Sequence, residues 1–188
     1  SYTVLMLAST RFFSDYGNHV RIWEAARAIQ RRGHRLILAT YHNGDDMPGL
    51  DIRRSWDVPW IKRAVVGSSR HKLYLDVGLG WRALRVALKE RPAILHAHTH
   101  EAAAIALPLQ RLLGAPLILD YQGSMTSEML DHGFISERSP LYLPLTRLER
   151  TLNRRADAVL TSTLNAAALL RRDGGLPEGR VHPVPDGV

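Results

Sequence analysis

Three imidazoles crowd the string HAHTH at positions 96–100. Strand alternation puts His96 and His98 on one face, and His100 joins them only if the strand runs that far. Imidazoles at a strand end can ligate a metal or move protons near neutral pH. A metal site needs three or more ligands with outer-shell support, and HxH pairs of metallohydrolases sit on an early strand of a barrel. A chain of 188 residues is short of the roughly 250 of such a barrel. The reading favoured here gives His96 a structural place under a helix. It makes His98 the catalytic candidate, as hydrogen-bond donor or acid/base group.

The second chemical string is DYQGSMTSEM at 120–129. Asp120, Gln122, Ser124 and Glu128 stand where the hydroxyls of a sugar or alcohol can be held, and Gly123 leaves room for the ligand. The competing reading has Asp120 and Ser124 satisfying loop backbone. The third string, YGNH at 16–19, opens a helix. Gly17 allows close backbone approach, and the free first-turn amides make a phosphate site, with Asn18 as N-cap. It is neither GxGxxG nor a P-loop, and a plain turn and cap explains it equally well. No GxSxG elbow and no Ser/His/Asp triad is present.

These strings need elements to hold them. Thr3 to Ala8 is a short apolar run, Val20 to Arg32 has helical periodicity closed by Gly33, and His34 to Thr40 is a second apolar run. That is a βαβ unit. Asp51 to Ser55 reads as a third strand, Trp56 to Ser69 as a loop, and Leu73 to Arg91 as a helix in spite of Gly78 and Gly80. Strands Ala93–Thr99, Pro116–Tyr121, Ala158–Ser162 and Arg180–Val184 then alternate with helices Glu101–Leu113, Leu141–Arg155 and Leu164–Arg172, with an irregular stretch over 122–140. The pattern predicts an α/β fold, a doubly wound, Rossmann-like parallel sheet whose ligands lie at the carboxyl ends of the strands.

Composition bounds the partners. With 45% apolar and 23% charged residues the chain can bury a core, which excludes disorder. No run approaches the roughly 20 apolar residues of a membrane span, and no signal peptide is expected at the N-terminus. The absence of cysteine excludes disulfides and agrees with a cytoplasmic protein. The net charge of +7 favours an anionic partner, although 22 Arg against 3 Lys is also what codon bias yields. Arg147, Arg150 and Arg154 share one helix face, suited to anionic lipid or simply to water. With only 7% aromatics and no stacking motif, nucleic acid is not expected as a partner.

Taken together, YGNHVRIWEAARAIQRRGHRLILAT, AILHAHTHEAAAIALPLQRLLGAPLILDYQGS, ADAVLTST and VHPVPDGV resemble the N-terminal, acceptor-side domain of retaining, family-four glycosyltransferases of GT-B architecture. The resemblance covers nearly the whole chain except about 42 to 92. It departs from the family pattern at three points: a single Gly17 before Asn18 replaces a glycine pair, Gln122 precedes Gly123 where many members have histidine, and Asp186 replaces a closing asparagine. Glutamine cannot move protons at neutral pH but can donate hydrogen bonds to a sugar. The resemblance implies a nucleotide-diphosphate sugar donor, an acceptor that is a glycan, lipid or small molecule, and no required metal cofactor. It implies a nucleotide-binding second domain after residue 188, and inactivity of this half alone. Gly17 and Asn18 would then face the donor diphosphate, with Asp120, Gly123, Ser124 and Glu128 beside the acceptor. The other readings are a stand-alone nucleotide- or phosphate-binding module, a metallohydrolase using His96, His98 and His100, and a basic interaction domain.

Overall fold

The computed structural model describes residues 1–13, 17–57 and 70–185. Strands Thr3–Ala8 (β1), Arg35–Thr40 (β2), Asp51–Arg54 (β3), Ile94–His98 (β4), Leu117–Tyr121 (β5), Ala158–Thr161 (β6) and Val181–Pro183 (β7) form one sheet. Its order is β3-β2-β1-β4-β5-β6-β7, with every pairing parallel. The helices are Gly17–Arg31 (α1), Arg70–Glu90 (α2), His100–Leu113 (α3), Met125–Asp131 (α4), Tyr142–Arg155 (α5) and Leu164–Arg172 (α6). The order of connection reverses between β1 and β4, so the crevice of a doubly wound sheet opens there.

Near-continuous apolar strands such as TVLMLA and RLILAT are buried on both faces, as a parallel sheet requires. One face packs α2, α3, α5 and α6 through Leu79, Ala83, Ala103, Ala106, Leu152 and Ala167 on Leu5, Leu7, Leu95, Leu117 and Leu119. On the other face α1 lays Ile22 and Ala26 on Val4, Met6, Leu36 and Leu38. Gly33 follows α1 at φ 79°, and Gly114 caps α3 at φ 66° with its N–H donating to the Gln110 carbonyl. Both are helix-ending glycines in the left-handed region.

Three expectations are corrected. Helix α1 begins at Gly17, so Asn18 lies inside its first turn and is not the N-cap. The stretch expected to be irregular contains α4, whose N-cap is Ser124. Helix α2 is 21 residues long and starts before Leu73. A Cβ at Gly78 or Gly80 would meet Ser55 Cβ or Ile105 Cγ2 at 3.8 Å, an ordinary contact, so the structure does not require glycine at either position. The loop expected over Trp56 to Ser69 falls outside the described residues from position 58, as does Asp186 in the last turn.

The loop after β2 is pinned against the loop after β1. Phe13 N–H donates to the Asp45 carbonyl at 3.0 Å, and Asp45 N–H returns the bond to Phe13 at 3.1 Å. Between them Gly44 has φ 112°, and a Cβ there would sit 2.1 Å from the Phe12 carbonyl oxygen, so only glycine lets the two loops meet. Among the described residues no helix is long and apolar enough to cross a membrane.

Candidate functional site

The face carrying α1 changes character across the switch point. Register aligns Met6 and Ala8 of β1 with His96 and His98 of β4, and these with Ile118 and Asp120 of β5. Apolar residues under α1 thus give way to two imidazoles and a carboxylate. Arg21, one turn into α1, reaches over this patch. Its Nε donates to Asp120 Oδ2 at 2.8 Å and its Nη2 to Oδ1 at 2.8 Å, a bidentate pair, while Nη1 donates to the Val184 carbonyl at 2.9 Å. The side chains of Arg21 and Asp120 are only 11% and 2% exposed.

His98 Nδ1 lies 2.9 Å from Asp120 Oδ2. Burial opposes ionisation of Asp120, but His98 and Arg21 overcome it and hold the carboxyl well below the usual range. Burial, then the neighbouring His98, push His96 down to about 3, so it is neutral at ordinary pH. The two rings stack with centroids 4.5 Å apart. Beside them opens a cleft of about 780 Å³ lined by Gly17, Arg21, His96, Asp120, Leu160 and Val184 among others.

The residues singled out from the sequence separate into two groups. Reachable from solvent are Gly17, exposed with open space around its Cα, Asn18, half-buried Gln122, and Gly123, exposed with φ 147° and open space where a Cβ would stand. Engaged in the protein's own framework are His98, Asp120 and Ser124. His98 is 0% exposed and out of direct reach of a ligand, whereas His96, expected to be structural, lines the cleft. Gln122 Nε2 approaches Asp120 Oδ2 at 3.4 Å.

Ser124 Oγ accepts from Ser127 N–H and donates to Glu149 Oε2 at 3.1 Å, which ties α4 to α5. Replacing Ser124 with alanine is expected to lower stability by about 1 kcal/mol, the usual loss for an N-cap, read as a small shift in the urea midpoint. Glu128 is exposed, with His132 Nε2 3.9 Å away. Arg147, Arg150 and Arg154 are exposed on α5 and form no ion pair among the described residues. His100 turns from β4 into α3, and its Nε2 meets Asn153 Oδ1 at 2.9 Å, so it does not join His96 and His98. Among the described residues no group of three or more His, Cys, Asp or Glu could hold a metal ion.

A second polar cluster escaped the sequence reading. At the same end of the sheet, Tyr41 just after β2 donates its hydroxyl to Asp76 Oδ1 of α2 at 2.6 Å. Lys72, one turn earlier in α2, pairs with Glu101 at the start of α3. Burial pushes the Asp76 carboxyl up to about 6, against the opposing pull of Tyr41 and Lys72. Burial and then Asp76 push the Tyr41 phenol upward. Burial works against Glu101 ionisation, but Lys72 prevails and holds its pKa down. Tyr41 and Glu101 sit at post-strand positions that could have pointed here; Asp76 could be found only from its place on the inward face of α2.

Fold and cleft together define a Rossmann-like α/β lobe of the kind found in GT-B glycosyltransferases. The chain belongs to the family described as the glycosyl transferase 4-like domain, whose model matches residues 17–187. No curated protein matches it in sequence. Among solved structures, sucrose-phosphate synthase from Thermosynechococcus elongatus superposes with TM-score 0.76 at 13% identity, covering 100% of this chain and 49% of that one. HepE from Anabaena in complex with UDP-glucose gives TM-score 0.68 at 12% identity, covering 100% and 44%. A UDP-N-acetylglucosamine 2-epimerase from Rickettsia bellii gives 0.59 at 12%, covering 98% and 45%. The chain thus spans about half the length of these proteins. At such identities the likeness establishes the fold alone, and an epimerase among the neighbours demonstrates that the fold hosts more than one chemistry. The family match makes this a glycosyltransferase-type domain.

Proposed function

We propose that this chain is the acceptor-side domain of a retaining glycosyltransferase, which moves a sugar from a nucleotide-diphosphate donor to an acceptor hydroxyl. The observation that carries the reading is the family match over residues 17–187, which spans both the opening of α1 and the loop after β5. A second domain beyond residue 188 binds the nucleotide. The donor diphosphate lies over Gly17 and Asn18, where the first-turn amides and the positive end of the α1 dipole stabilise departing charge without a required metal. HepE carries UDP-glucose in its crystal structure, which makes that donor the first to try.

In this reading Gln122 and the Gly123 amide hold sugar hydroxyls directly. His98 and Asp120 are positioning residues: they fix Arg21 and, through it, the Val184 carbonyl on the strap leaving β7. Acceleration comes from placement and charge stabilisation. The test is incubation of the longer protein with UDP-glucose and a panel of glycan, lipid and small-molecule acceptors, with NMR of the product anomer. Transfer with the α configuration kept is expected, and the 188-residue chain alone is expected to transfer nothing. An inverted product, or transfer by this chain alone, overturns the proposal.

The α5 face adds a partner. We propose that Arg147, Arg150 and Arg154, with exposed Leu143 and Leu148 on the same helix, rest on an anionic membrane surface at the cytoplasmic side. Co-sedimentation with phosphatidylglycerol vesicles is expected to fall at least about tenfold in the triple alanine variant and to weaken with salt. Equal binding to neutral phosphatidylcholine vesicles speaks against it.

A further inference from the structure

The cluster around Asp76 has the composition of a ligand site and the placement of one. Ser9 follows β1, Tyr41 follows β2, Thr99 and Glu101 follow β4, and Lys72 and Asp76 project from α2. All stand at the carboxyl edge of the sheet, on the two sides of the β1–β4 switch point where doubly wound folds take their ligands. Ser9 is 5% exposed, and its hydroxyl faces Tyr41 and Asp76 without a well-formed hydrogen bond to any described residue. Thr99 Oγ1 likewise stands beside Glu101 within reach of its carboxylate, and Thr99 is held at φ 80°, a conformation that a β-branched residue keeps only under compulsion.

We propose that Ser9, Tyr41, Lys72, Asp76, Thr99 and Glu101 form a subsite for a neutral polyhydroxyl ligand, the sugar part of the acceptor. This rests on the transferase reading and names its substrate class. Two carboxylates against one ammonium leave the cluster with a net negative charge at neutral pH, so a phosphate or carboxylate ligand is repelled. A carboxylate oxygen can accept more than one hydrogen bond, so the Asp76 and Glu101 carboxylates can take ligand hydroxyls beside their present partners; the ammonium and the Ser9 and Thr99 hydroxyls donate or accept the remaining bonds. Asp76 and Glu101 keep partial exposure, so the cluster is open to a ligand and is not sealed in the core. A plain tether between α2 and α3 would need only Lys72 and Glu101, whereas Ser9, Tyr41 and Asp76 add further donors and acceptors at the same edge.

The test is NMR of the 188-residue chain, following amides and side-chain carboxyl carbons while D-glucose is added, with glucose 6-phosphate in a parallel arm. Glucose is expected to shift the Asp76 and Glu101 carboxyls and the Ser9 and Thr99 amides saturably, half-saturating below about 10 mM. Glucose 6-phosphate is expected to bind at least about fivefold more weakly. Asp76→Asn is expected to weaken glucose about tenfold, as loss of a charged hydrogen-bond acceptor does. Glu101→Gln provides a second reading from a different helix, and a dispersed amide spectrum establishes that each variant is folded. No saturable shift, tighter binding of the phosphorylated sugar, or unchanged glucose affinity in both folded variants overturns the subsite. Sugar transfer by the longer protein together with silent carboxyls sinks the subsite and leaves the transferase reading standing. Glucose binding that depends on Asp76, in a longer protein that transfers no sugar, supports the subsite and sinks the transferase reading.

Discussion

Replacing Asp120 with alanine is expected to destabilise the chain by about 3–5 kcal/mol, the usual loss when one member of a buried ion pair is removed and the other is left unpaired in the interior. For a domain of this size that corresponds to a fall of about 10 °C in the unfolding midpoint. Asp120 accepts a bidentate pair from Arg21 and touches His98, so its loss leaves a guanidinium 11% exposed without its counter-charge and a fully buried imidazole without its polar neighbour. It also loosens Arg21 from the Val184 carbonyl, so protection of the amides around β7 against hydrogen exchange should fall together with the midpoint. An alanine variant melting within about 2 °C of the parent would remove the ion pair from any structural role. A double variant, Arg21→Met with Asp120→Leu, should recover much of the loss, because an apolar pair of similar volume leaves no charge stranded.

That ion pair also marks where sequence reading stops. Strands β1 and β2 were legible because their residues are almost all apolar, and β1 falls on the expected Thr3–Ala8; helix α6 likewise falls on Leu164–Arg172, with Thr163 as its cap. Helix α4 was not, since MTSEMLD has seven residues with no apolar stripe and depends on Ser124 and Glu149 to hold its first turn. The rule that ligands gather after strands located His98, Asp120 and Gln122 correctly in the fold. It said nothing about their partners, because Arg21 and Asp120 are 99 positions apart and pair only once α1 crosses the sheet. Asp76 was hidden for a related reason. It is one polar residue on the inward face of an otherwise amphipathic helix, and nothing local reveals that Tyr41 stands 2.6 Å away.

Alternation placed His96 and His98 on one face but could not tell which would be sealed, and the difference has a measurable consequence in the dependence of stability on pH. His96 is 4% exposed, its Nε2 has no hydrogen-bond partner among the described residues, and its folded-state pKa is about 3. In the unfolded chain an ordinary histidine takes up its proton near pH 6.5. Between those two values the unfolded state binds the extra proton and the folded state does not, so stability falls as pH drops from about 6.5 towards 3, by up to 1.4 kcal/mol per unit. By pH 4 the loss due to His96 is about 3 kcal/mol. Asp120 acts in a separate window. Its folded pKa is depressed, so its contribution is intact above the ordinary carboxyl range and is lost only as pH falls below about 4. His96→Leu fills a similar volume, removes the idle nitrogen and cannot titrate. Urea unfolding at pH 8, 6, 5 and 4 should therefore show the variant gaining on the parent steadily below pH 6.5, with the gap reaching about 3 kcal/mol at pH 4. Parallel curves for parent and variant over that range would mean that His96 is protonated inside the fold, near the Asp120 carboxylate.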